Sequence, residues 1–245
     1  MFGVQASRGR YLFLIGHMRA YSTLVGHILG SHPNICGYYE HHKRYKNWQS
    51  LFKLRRRLKN EFQGKKICNI YFDKLLHNGC ELRPAILKRR DIRCLFSIRN
   101  PESSIRSILN MWQKLSSGMA DKNVSDAVSY YCGRIEEVAR LSREIIYPEN
   151  SVYFPAESVV DDTEKFINKL SAWLELEVRL SGEFERFEHT GKEGYGDPSG
   201  YIQTGKVIKQ RDNYTYIEIP GHLLDKANDV YERTNRIILE NIPKL

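Results

Sequence analysis

Short apolar runs alternate with longer amphipathic segments along the chain. The runs are four to seven residues long, as buried strands usually are, and they predict strands at residues 11–15, 67–72, 92–98 and 151–154. In the longer segments apolar residues recur every three or four positions, which is the period of a helix that buries one face. These segments predict helices at residues 21–30, 48–63, 101–112, 125–146, 161–174 and 221–240. Strands that alternate with helices indicate an α/β fold, with a central, mostly parallel sheet flanked by helices.

The length and composition fit a single folded domain. The 245 residues are enough for one α/β domain with a substantial core, so we expect one domain over residues 1–245. Hydrophobic residues make up 41% of the chain and charged residues 27%, which are ordinary globular values and argue against a disordered protein. Residues 181–215 are rich in Gly, Glu, Asp, Lys and Thr, and we expect an extended, partly mobile loop region there.

Cysteine usage and the N-terminal sequence bear on the compartment. The five cysteines are odd in number and fit no zinc or CxxC spacing, so we expect reduced cysteines that pack in the core of a cytoplasmic protein. They are Cys36, Cys68, Cys80, Cys94 and Cys132. The apolar run at residues 11–15 is far too short to span a bilayer, and no small-residue cleavage site follows it. We therefore expect a cytoplasmic location.

The first chemical motif is the loop from Gly16 to Leu24, between the first strand and the first helix. The first turn of a helix has N–H groups without backbone partners and a positive dipole end, so it attracts anions. Arg19 adds a positive charge there, and Ser22 and Thr23 add hydroxyls. The loop lacks the second glycine and the Lys-Ser/Thr pair of a Walker A motif, which argues against a magnesium-dependent NTPase. On its own, the loop could equally hold a turn glycine, a solvated arginine and a serine helix cap.

The second motif follows the strand at residues 92–98. Arg99 lies at the carboxyl end of that strand, where ligands gather in open α/β sheets. Ser107 lies two turns into the following helix, so an arginine fork and a hydroxyl could both reach one phosphate. Taken alone, Arg99 could be a surface ion pair and Ser107 an ordinary helix residue.

Together the two motifs resemble those of the PAPS-dependent sulfotransferase family, in which PAPS is the donor 3′-phosphoadenosine-5′-phosphosulfate. The pattern G-x-x-R-x-x-S-T-L at residues 16–24 is similar to the family's 5′-phosphosulfate loop. Residues 99–101 (sequence RNP), with Ser107 eight positions after Arg99, are similar to its 3′-phosphate motif. Residues 152–162 and 173–176 are similar to two further passages of the family. The motif spacing is closest to that of the bacterial, tyrosylprotein and carbohydrate-type branches.

The resemblance implies a P-loop-like sulfotransferase architecture and a site for PAPS and its product PAP. In this family the sulfuryl group passes in line from the donor to an acceptor hydroxyl or amine, without a required metal. The implied donor-binding residues are Gly16, Arg19, Ala20, Tyr21, Ser22, Thr23 and Leu24 at the 5′ end, and Arg99 and Ser107 at the 3′-phosphate. Arg19 would also stabilise the charge on the leaving group. The loop departs from the family at residues 20–21, where Ala-Tyr replaces the usual Ser-Gly and makes the loop bulkier.

The acceptor must lose a proton, so the implied reaction needs a general base. Glu40 is the first candidate, because the tyrosylprotein and bacterial branches place a catalytic glutamate at this distance from the arginine. His41 and His42 are the next candidates, and His77 is a weaker one. Each has an ordinary alternative: Glu40 could pair with a neighbouring lysine or arginine on the surface, and the histidines could be solvated loop residues.

Two further basic positions could complete the site. Lys74 follows the second strand, where several family members have a lysine that contacts the transferring sulfate. Lys206, with Lys209 and Arg211, resembles in composition a basic C-terminal loop that the family often closes over the donor. A surface lysine and a solvated basic loop are the respective alternatives.

The acceptor is not identified by the sequence. A net charge of +9 favours an anionic partner, and the acceptor could be a glycan, a lipid or a small metabolite. The basic stretches at residues 53–59 and 88–90 also fit an alternative function, that of a nucleic-acid or membrane-surface binding module without catalysis. No recognised nucleic-acid motif accompanies these stretches, so we expect no nucleic-acid partner, whereas peripheral membrane contact stays open.

Overall fold

A five-stranded parallel sheet forms the centre of the molecule. The computed structural model describes residues 10–80, 82–114, 121–192, 195, 200–209 and 214–245. Within these residues the strands are β1 (Arg10–Ile15), β2 (Ile35–Cys36), β3 (Ile70–Leu75), β4 (Ile92–Ile98) and β5 (Ser151–Pro155). Their order across the sheet is β2-β3-β1-β4-β5, and every neighbouring pair is parallel. The predicted α/β fold with a parallel sheet is confirmed.

Helices connect the strands and cover both faces of the sheet. They are α1 (Ser22–Gly30), α2 (Trp48–Glu61), α3 (Pro84–Leu87), α4 (Pro101–Lys114), α5 (Val124–Arg143), α6 (Ser158–Asp161), α7 (Thr163–Trp173) and α8 (Gly221–Asn241). One apolar layer joins α1, α6 and α7 to Leu12 and Leu14 of β1. The other layer joins α2, α4, α5 and α8 to Phe13 and Ile15 of the same strand. Because β1 is covered on both faces, its apolar residues are continuous rather than alternating.

The observed elements differ from the predicted ones in a few places. The strand predicted at 67–72 begins three residues later, at Ile70, and continues through Asp73 and Lys74. Strand β2 and helix α3 were not predicted, because elements of two and four residues carry no measurable periodicity. The helix predicted at 161–174 is α7, which begins two residues later, at Thr163, after the short α6. The side chain of its N-cap residue, Asp162, accepts a hydrogen bond from the backbone N–H of Lys165.

The expectation of five reduced cysteines is wrong for two of them. Cys36 and Cys68 form a disulfide with their Cα atoms 6.0 Å apart, whereas Cys80, Cys94 and Cys132 are buried free thiols. The pair was missed because Cys36 lies on β2 and Cys68 just before β3, and only the pairing of these two strands brings them together. The pairing removes one argument for a reducing compartment, since disulfides are rare in the cytosol.

The segment predicted as an extended loop at 181–215 lies partly outside the described residues. Where it is described, it contains a single 3-10 turn, Gly200–Thr204, and a short bridge between Glu183 and Lys206. The side chain of Thr190 is held against His27 of α1, with 2.9 Å between the hydroxyl oxygen and Nε2. In the parts of the chain that the structure describes, no helix is long and apolar enough to cross a membrane.

Candidate functional site

The carboxyl ends of β1, β3 and β4 meet at one edge of the sheet. The loop after β1 begins at Gly16, the segment after β3 contains Leu76 and His77, and β4 leads into Arg99. Gly16 lies so close to β4 that a Cβ atom on it would be 2.8 Å from the carbonyl oxygen of Ser97. Only glycine fits this approach without displacing backbone, so the first residue of the predicted anion loop is fixed by strand packing.

The loop enters helix α1 through two left-handed residues. Arg19 has a φ of 64° and Tyr21 a φ of 55°, and residues other than glycine adopt such values only at an energetic cost. Tyr21 is the N-cap residue, and within the described chain its side chain makes no capping hydrogen bond, while Ser22 begins the helix. The helix terminus is therefore not closed by a serine cap, which was one alternative, and it suits an anion.

The two predicted motifs lie in contact. The Nε of Arg19 donates to the hydroxyl of Ser107 on α4 over 2.9 Å. The Nη1 of Arg99 donates to the backbone carbonyl of Arg19 over 2.8 Å, and the Arg99 guanidinium stacks on the ring of Tyr21, with its central carbon 4.5 Å from the ring centroid. Arg99 and Ser107 are both buried. The structure thus assembles the arginines and the hydroxyl of both motifs at the N-terminus of α1.

His17 is a buried link between the loop and β4 that the sequence did not single out. Its Nδ1–H donates to the carbonyl of Met18 over 2.7 Å, and its Nε2 accepts the backbone N–H of Arg99 over 3.0 Å. This pattern requires a neutral ring. Burial lowers the pKa of His17 to about 3, and the neighbouring Arg99 and Arg134 lower it further, against the hydrogen bond to Met18. The ring therefore stays uncharged at neutral pH.

Arg134 of α5 joins the ends of β1 and β3 and was also missed. Its Nε donates to the carbonyl of Gly16 over 2.7 Å and its Nη2 to the carbonyl of Leu75 over 2.6 Å, while Nη1 reaches Asn78. The residue is 1% exposed. The one signal available in the sequence was that Arg134 is a charged residue at a position where the apolar pattern of the helix predicts burial. We conclude that Arg134 fixes the spacing between the anion loop and the segment after β3.

Two tyrosines of α5 make further links of the same kind. The hydroxyl of Tyr130 accepts the backbone N–H of Met18 and donates to the carbonyl of Leu76, over 3.1 and 3.0 Å. The hydroxyl of Tyr131 donates to the carbonyl of Arg99 over 2.7 Å. One face of α5 therefore holds all three loops at the sheet edge.

Glu40, the first candidate base, is buried at this edge. Its Oε1 accepts the backbone N–H of Leu76 over 3.2 Å, and the thiol of Cys80 lies 3.5 Å from the same oxygen. His42 Nδ1 is 3.7 Å from Oε1 and His77 Nε2 is 3.7 Å from Oε2. The structure buries Glu40 beside the segment after β3, rather than in a pair with Lys43 or Arg44 on the surface.

Asp73 organises the backbone around Glu40. It is fully buried in β3 and accepts hydrogen bonds from the backbone N–H groups of His41 (3.0 Å) and Lys74 (2.7 Å) and from the hydroxyl of Tyr45. Burial raises the pKa of Asp73 to about 7, against the effect of these three donors. The sequence reading missed Asp73 because it fell outside the strand as predicted.

His41 and Lys74 are both buried. The His41 ring packs against Tyr39, and its two nitrogens have no hydrogen-bond partner among the described residues. Burial, together with the charges of Arg57, Lys43 and Lys74, lowers the pKa of His41 to about 3, which makes it a weak base. Lys74 is 1% exposed and runs beside α1, where a Cβ on Gly26 would lie 3.6 Å from its Cδ. A surface position for Lys74 is therefore wrong.

Lys206 is not brought to the anion loop. Lys206 lies in a cleft with Ser31, His32 and Pro33, at the C-terminal end of α1, whereas the loop precedes its N-terminus. Lys209 is exposed, and Arg211 lies outside the described residues. The remaining loop residues are at the helix entrance, with Ala20 and Ser22 buried and Thr23 and Leu24 half-buried.

A single group of side chains in the described part of the chain has the geometry of a metal site. It consists of Glu40, His42 and His77, whose ligand atoms all lie within 4.8 Å of one another. No metal-binding spacing is visible for these residues in the sequence, because they come from two separate segments.

Comparison with solved structures identifies the fold. The sulfotransferase domain from the curacin biosynthetic pathway superimposes with a TM-score of 0.64 at 14% identity, covering 93% of this chain and 97% of that one. The sulfotransferase domain from the Synechococcus PCC 7002 olefin synthase gives 0.62 at 15% identity, covering 94% and 96%. Mouse sulfotransferase SULT7A1, complexed with PAP, gives 0.56 at 10% identity, covering 95% and 89%. Neither a family model nor a curated protein sequence matches the chain. The chain has the sulfotransferase fold.

Proposed function

We propose that this protein is a PAPS-dependent sulfotransferase, with its donor site at the N-terminus of α1 and Glu40 as the general base. The observation that carries the proposal is the contact of Arg19 with Ser107 and of Arg99 with the Arg19 carbonyl. These residues come from two motifs some 80 to 88 positions apart and meet at an anion-attracting helix end. A neighbour of the same fold, mouse SULT7A1, is described as a complex with PAP.

The residues present fit a doubly phosphorylated donor. The first turn of α1, with Ser22 and Thr23, offers backbone N–H groups and hydroxyls to the 5′-phosphate, and Arg19 would contribute charge at the bridging oxygen. Arg99 and Ser107 would hold the 3′-phosphate. When bound, PAPS supplies the activated sulfuryl group. The arginines would leave their present contacts with Ser107 and Tyr21 and turn to the phosphates.

Glu40 would take the proton of the acceptor hydroxyl or amine. As the acceptor atom bonds to sulfur, the bond between sulfur and the 5′-phosphate oxygen breaks and its electron pair leaves with PAP. The hydrogen bond from the Leu76 N–H holds one carboxylate oxygen of Glu40, so the base has a fixed orientation. Lys74, buried one residue before the end of β3, would contribute positive charge near the transferring group.

Donor binding is tested by thermal shift with PAP. We expect PAP to raise the melting temperature and ATP with magnesium to leave it unchanged. Arg19→Ala should weaken this shift and abolish transfer of labelled sulfate from PAPS. A full PAP shift in Arg19→Ala would place the donor elsewhere, and no PAP shift in the wild type would refute the proposal.

The role of Glu40 is tested by Glu40→Gln, which keeps an oxygen for the Leu76 N–H and removes the base. Loss of a general base typically costs about 10² to 10⁴ in rate. We expect a loss of this size in sulfate transfer with unchanged PAP affinity, measured on a panel of glycans, lipids, phenols and peptides. Near-normal turnover would move the base to His42 or His77. Glu137→Gln, at a half-buried carboxylate of α5, is the matched control.

A membrane-surface function has one specific observation in its favour. Helix α2 exposes Trp48 (62%) and Phe52 (56%) beside the exposed Lys53 and Arg56. Aromatic and basic side chains on one helix face suit an anionic interface. Retention on anionic vesicles that is lost in Trp48→Ala/Phe52→Ala, without any PAP shift in the wild type, would favour this function over the enzymatic one.

A further inference from the structure

We propose that Glu40, His42 and His77 form a binding site for a divalent transition-metal ion, with zinc as the best match, and that the bound ion blocks Glu40. The proposal begins from three ligand atoms that two loops bring together. His42 Nδ1 and His77 Nε2 each lie 3.7 Å from an oxygen of Glu40, one on either side of the carboxylate. All three ligand atoms lie within 4.8 Å of one another.

The spacing is close to that of a tetrahedral zinc site. Zinc bonds to imidazole nitrogen and carboxylate oxygen are about 2.0–2.2 Å long, which places neighbouring tetrahedral ligand atoms roughly 3.4 Å apart. The two distances of 3.7 Å run to different oxygens of Glu40, and the three ligand atoms lie within 4.8 Å of one another, so binding needs an inward movement of up to about 1.4 Å. The His42 side chain is 54% exposed and that of His77 34%, so both rings can make this adjustment.

The donor types select among ions. Two imidazoles and one carboxylate are the protein ligands of open zinc sites, in which the fourth position is left to water or another ligand. Calcium and magnesium prefer sites made of oxygen ligands alone, so they should bind poorly here. The backbone N–H of Leu76 holds Oε1 of Glu40 and would orient the carboxylate toward the ion.

The consequence for activity rests on the proposed function. Proton transfer from the acceptor requires an available lone pair on the Glu40 carboxylate. A metal ion bound there lowers the basicity of the carboxylate and also fills the space beside it, so transfer should stop while the ion is bound. Removal of the ion by a chelator should restore transfer, because no bond of the protein is broken.

The site itself is tested without donor or acceptor. Protein freed of any histidine tag is titrated with Co²⁺, whose visible absorption reports tetrahedral coordination, and Zn²⁺ is then added as competitor. We expect one saturable site that Zn²⁺ displaces. His42→Ala, His77→Ala and Glu40→Gln should each weaken Co²⁺ binding by at least about 10-fold, given what changes at a metal site usually cost.

Two variants serve as controls for that titration. His222→Ala removes an exposed histidine of α8 and should leave the Co²⁺ spectrum unchanged. Cys80→Ser removes the buried thiol beside Glu40 and should also leave it unchanged, because the sulfur is not among the three ligand atoms. Absence of a tetrahedral Co²⁺ spectrum, or a spectrum lost only in Cys80→Ser, overturns the proposed site.

The effect on activity is a separate measurement. Zn²⁺ should inhibit labelled-sulfate transfer in the wild type, with full recovery after EDTA. In His42→Ala, half-inhibition relative to that variant's own activity should need at least about 10-fold more Zn²⁺. Equal sensitivity of the two proteins overturns the link to Glu40. Normal Co²⁺ binding in a protein that transfers no sulfate even without metal counts against the proposed function and leaves the site supported.

Discussion

Replacing Arg134 with methionine should loosen the connection between the anion loop and the segment that holds Glu40. Methionine fills most of the same volume but has no donors for the carbonyls of Gly16 and Leu75. The Gly16 carbonyl would lose its guanidinium partner, and leaving such a buried carbonyl unpaired costs about 1–3 kcal/mol. The Leu75 carbonyl would keep the Gly16 N–H at 3.3 Å but lose one hydrogen bond to a charged group, a loss of about 1.5–3 kcal/mol, so the two losses together cost about 2.5–6 kcal/mol. The third acceptor, Asn78, is exposed and can turn to water.

Part of this cost is offset, because the folded protein no longer buries a charged guanidinium. We therefore expect the free energy of unfolding to fall by about 2–4 kcal/mol. For a chain of this length each kcal/mol changes the melting temperature by about 2–4 °C, which gives a decrease of about 4–16 °C. Urea denaturation followed by circular dichroism measures the free energy, and a thermal scan measures the temperature.

Arg140→Met is the matched control on the same helix. Arg140 pairs with Glu137 and Glu144 at the surface, where such pairs contribute at most about 1 kcal/mol. Arg134→Lys should recover little, since a lysine cannot donate along the two directions of the guanidinium fork. If the free energies of unfolding of Arg134→Met and Arg140→Met differ by less than about 1 kcal/mol, the three hydrogen bonds of Arg134 do not hold the two loops together.

Three further predictions concern the loop, the buried histidine and the disulfide. Tyr21→Gly should change the free energy of unfolding in urea by less than about 1 kcal/mol. Relief of the left-handed strain, about 1–2 kcal/mol, is offset by the loss of stacking on Arg99 and by the chain entropy of glycine. A change above about 2 kcal/mol would contradict this balance. The pKa of His41 is lowered to about 3, so only the unfolded chain binds a proton there between pH 6.5 and 3. The contribution of His41 to the free energy of unfolding is therefore complete above pH 6.5 and is lost as the pH falls. In urea titrations at several pH values, the free energy of unfolding of His41→Leu should fall less steeply with acid than that of the wild type. Equal slopes for the two proteins would refute the lowered pKa of His41. Reductant should lower the melting temperature of the wild type but not that of Cys68→Ser. Opening the crosslink from Cys68 to Cys36, which spans 32 residues, costs up to about 4 kcal/mol of stability. An equal change of melting temperature in both proteins would argue against the disulfide.

The residues proposed to bind the donor were accessible to sequence reasoning because they follow local signals. An apolar run followed by glycine and two hydroxyls indicates a strand, a loop and a helix entrance, and the structure has β1, the loop and α1 in those places. Arg99 was placed at a strand end by the same reasoning. The left-handed conformation of Tyr21 is one that glycine would adopt without strain.

The supporting residues were not accessible in this way. Three of these residues are polar side chains that bond to backbone atoms of other elements, namely His17, Asp73 and Arg134. The sequence next to each residue does not indicate which backbone atoms those are. Lys206 shows the opposite case. Its basic neighbourhood suggested a place over the donor, but the packing of residues 182–184 against 205–207 places it in a cleft at the other end of α1.

The sequence by itself determined the alternation of strands and helices, the strand, loop and helix around residues 16–24, and the two motifs that contain Arg19, Arg99 and Ser107. Periodicity and turn chemistry are properties of neighbouring residues, so a linear reading detects them. The strand order β2-β3-β1-β4-β5 decided the rest. It placed the ends of β1, β3 and β4 side by side, which put Arg134 across two of them and Glu40 between two histidines. Such contacts join residues far apart in the chain, and only the packed structure fixes them.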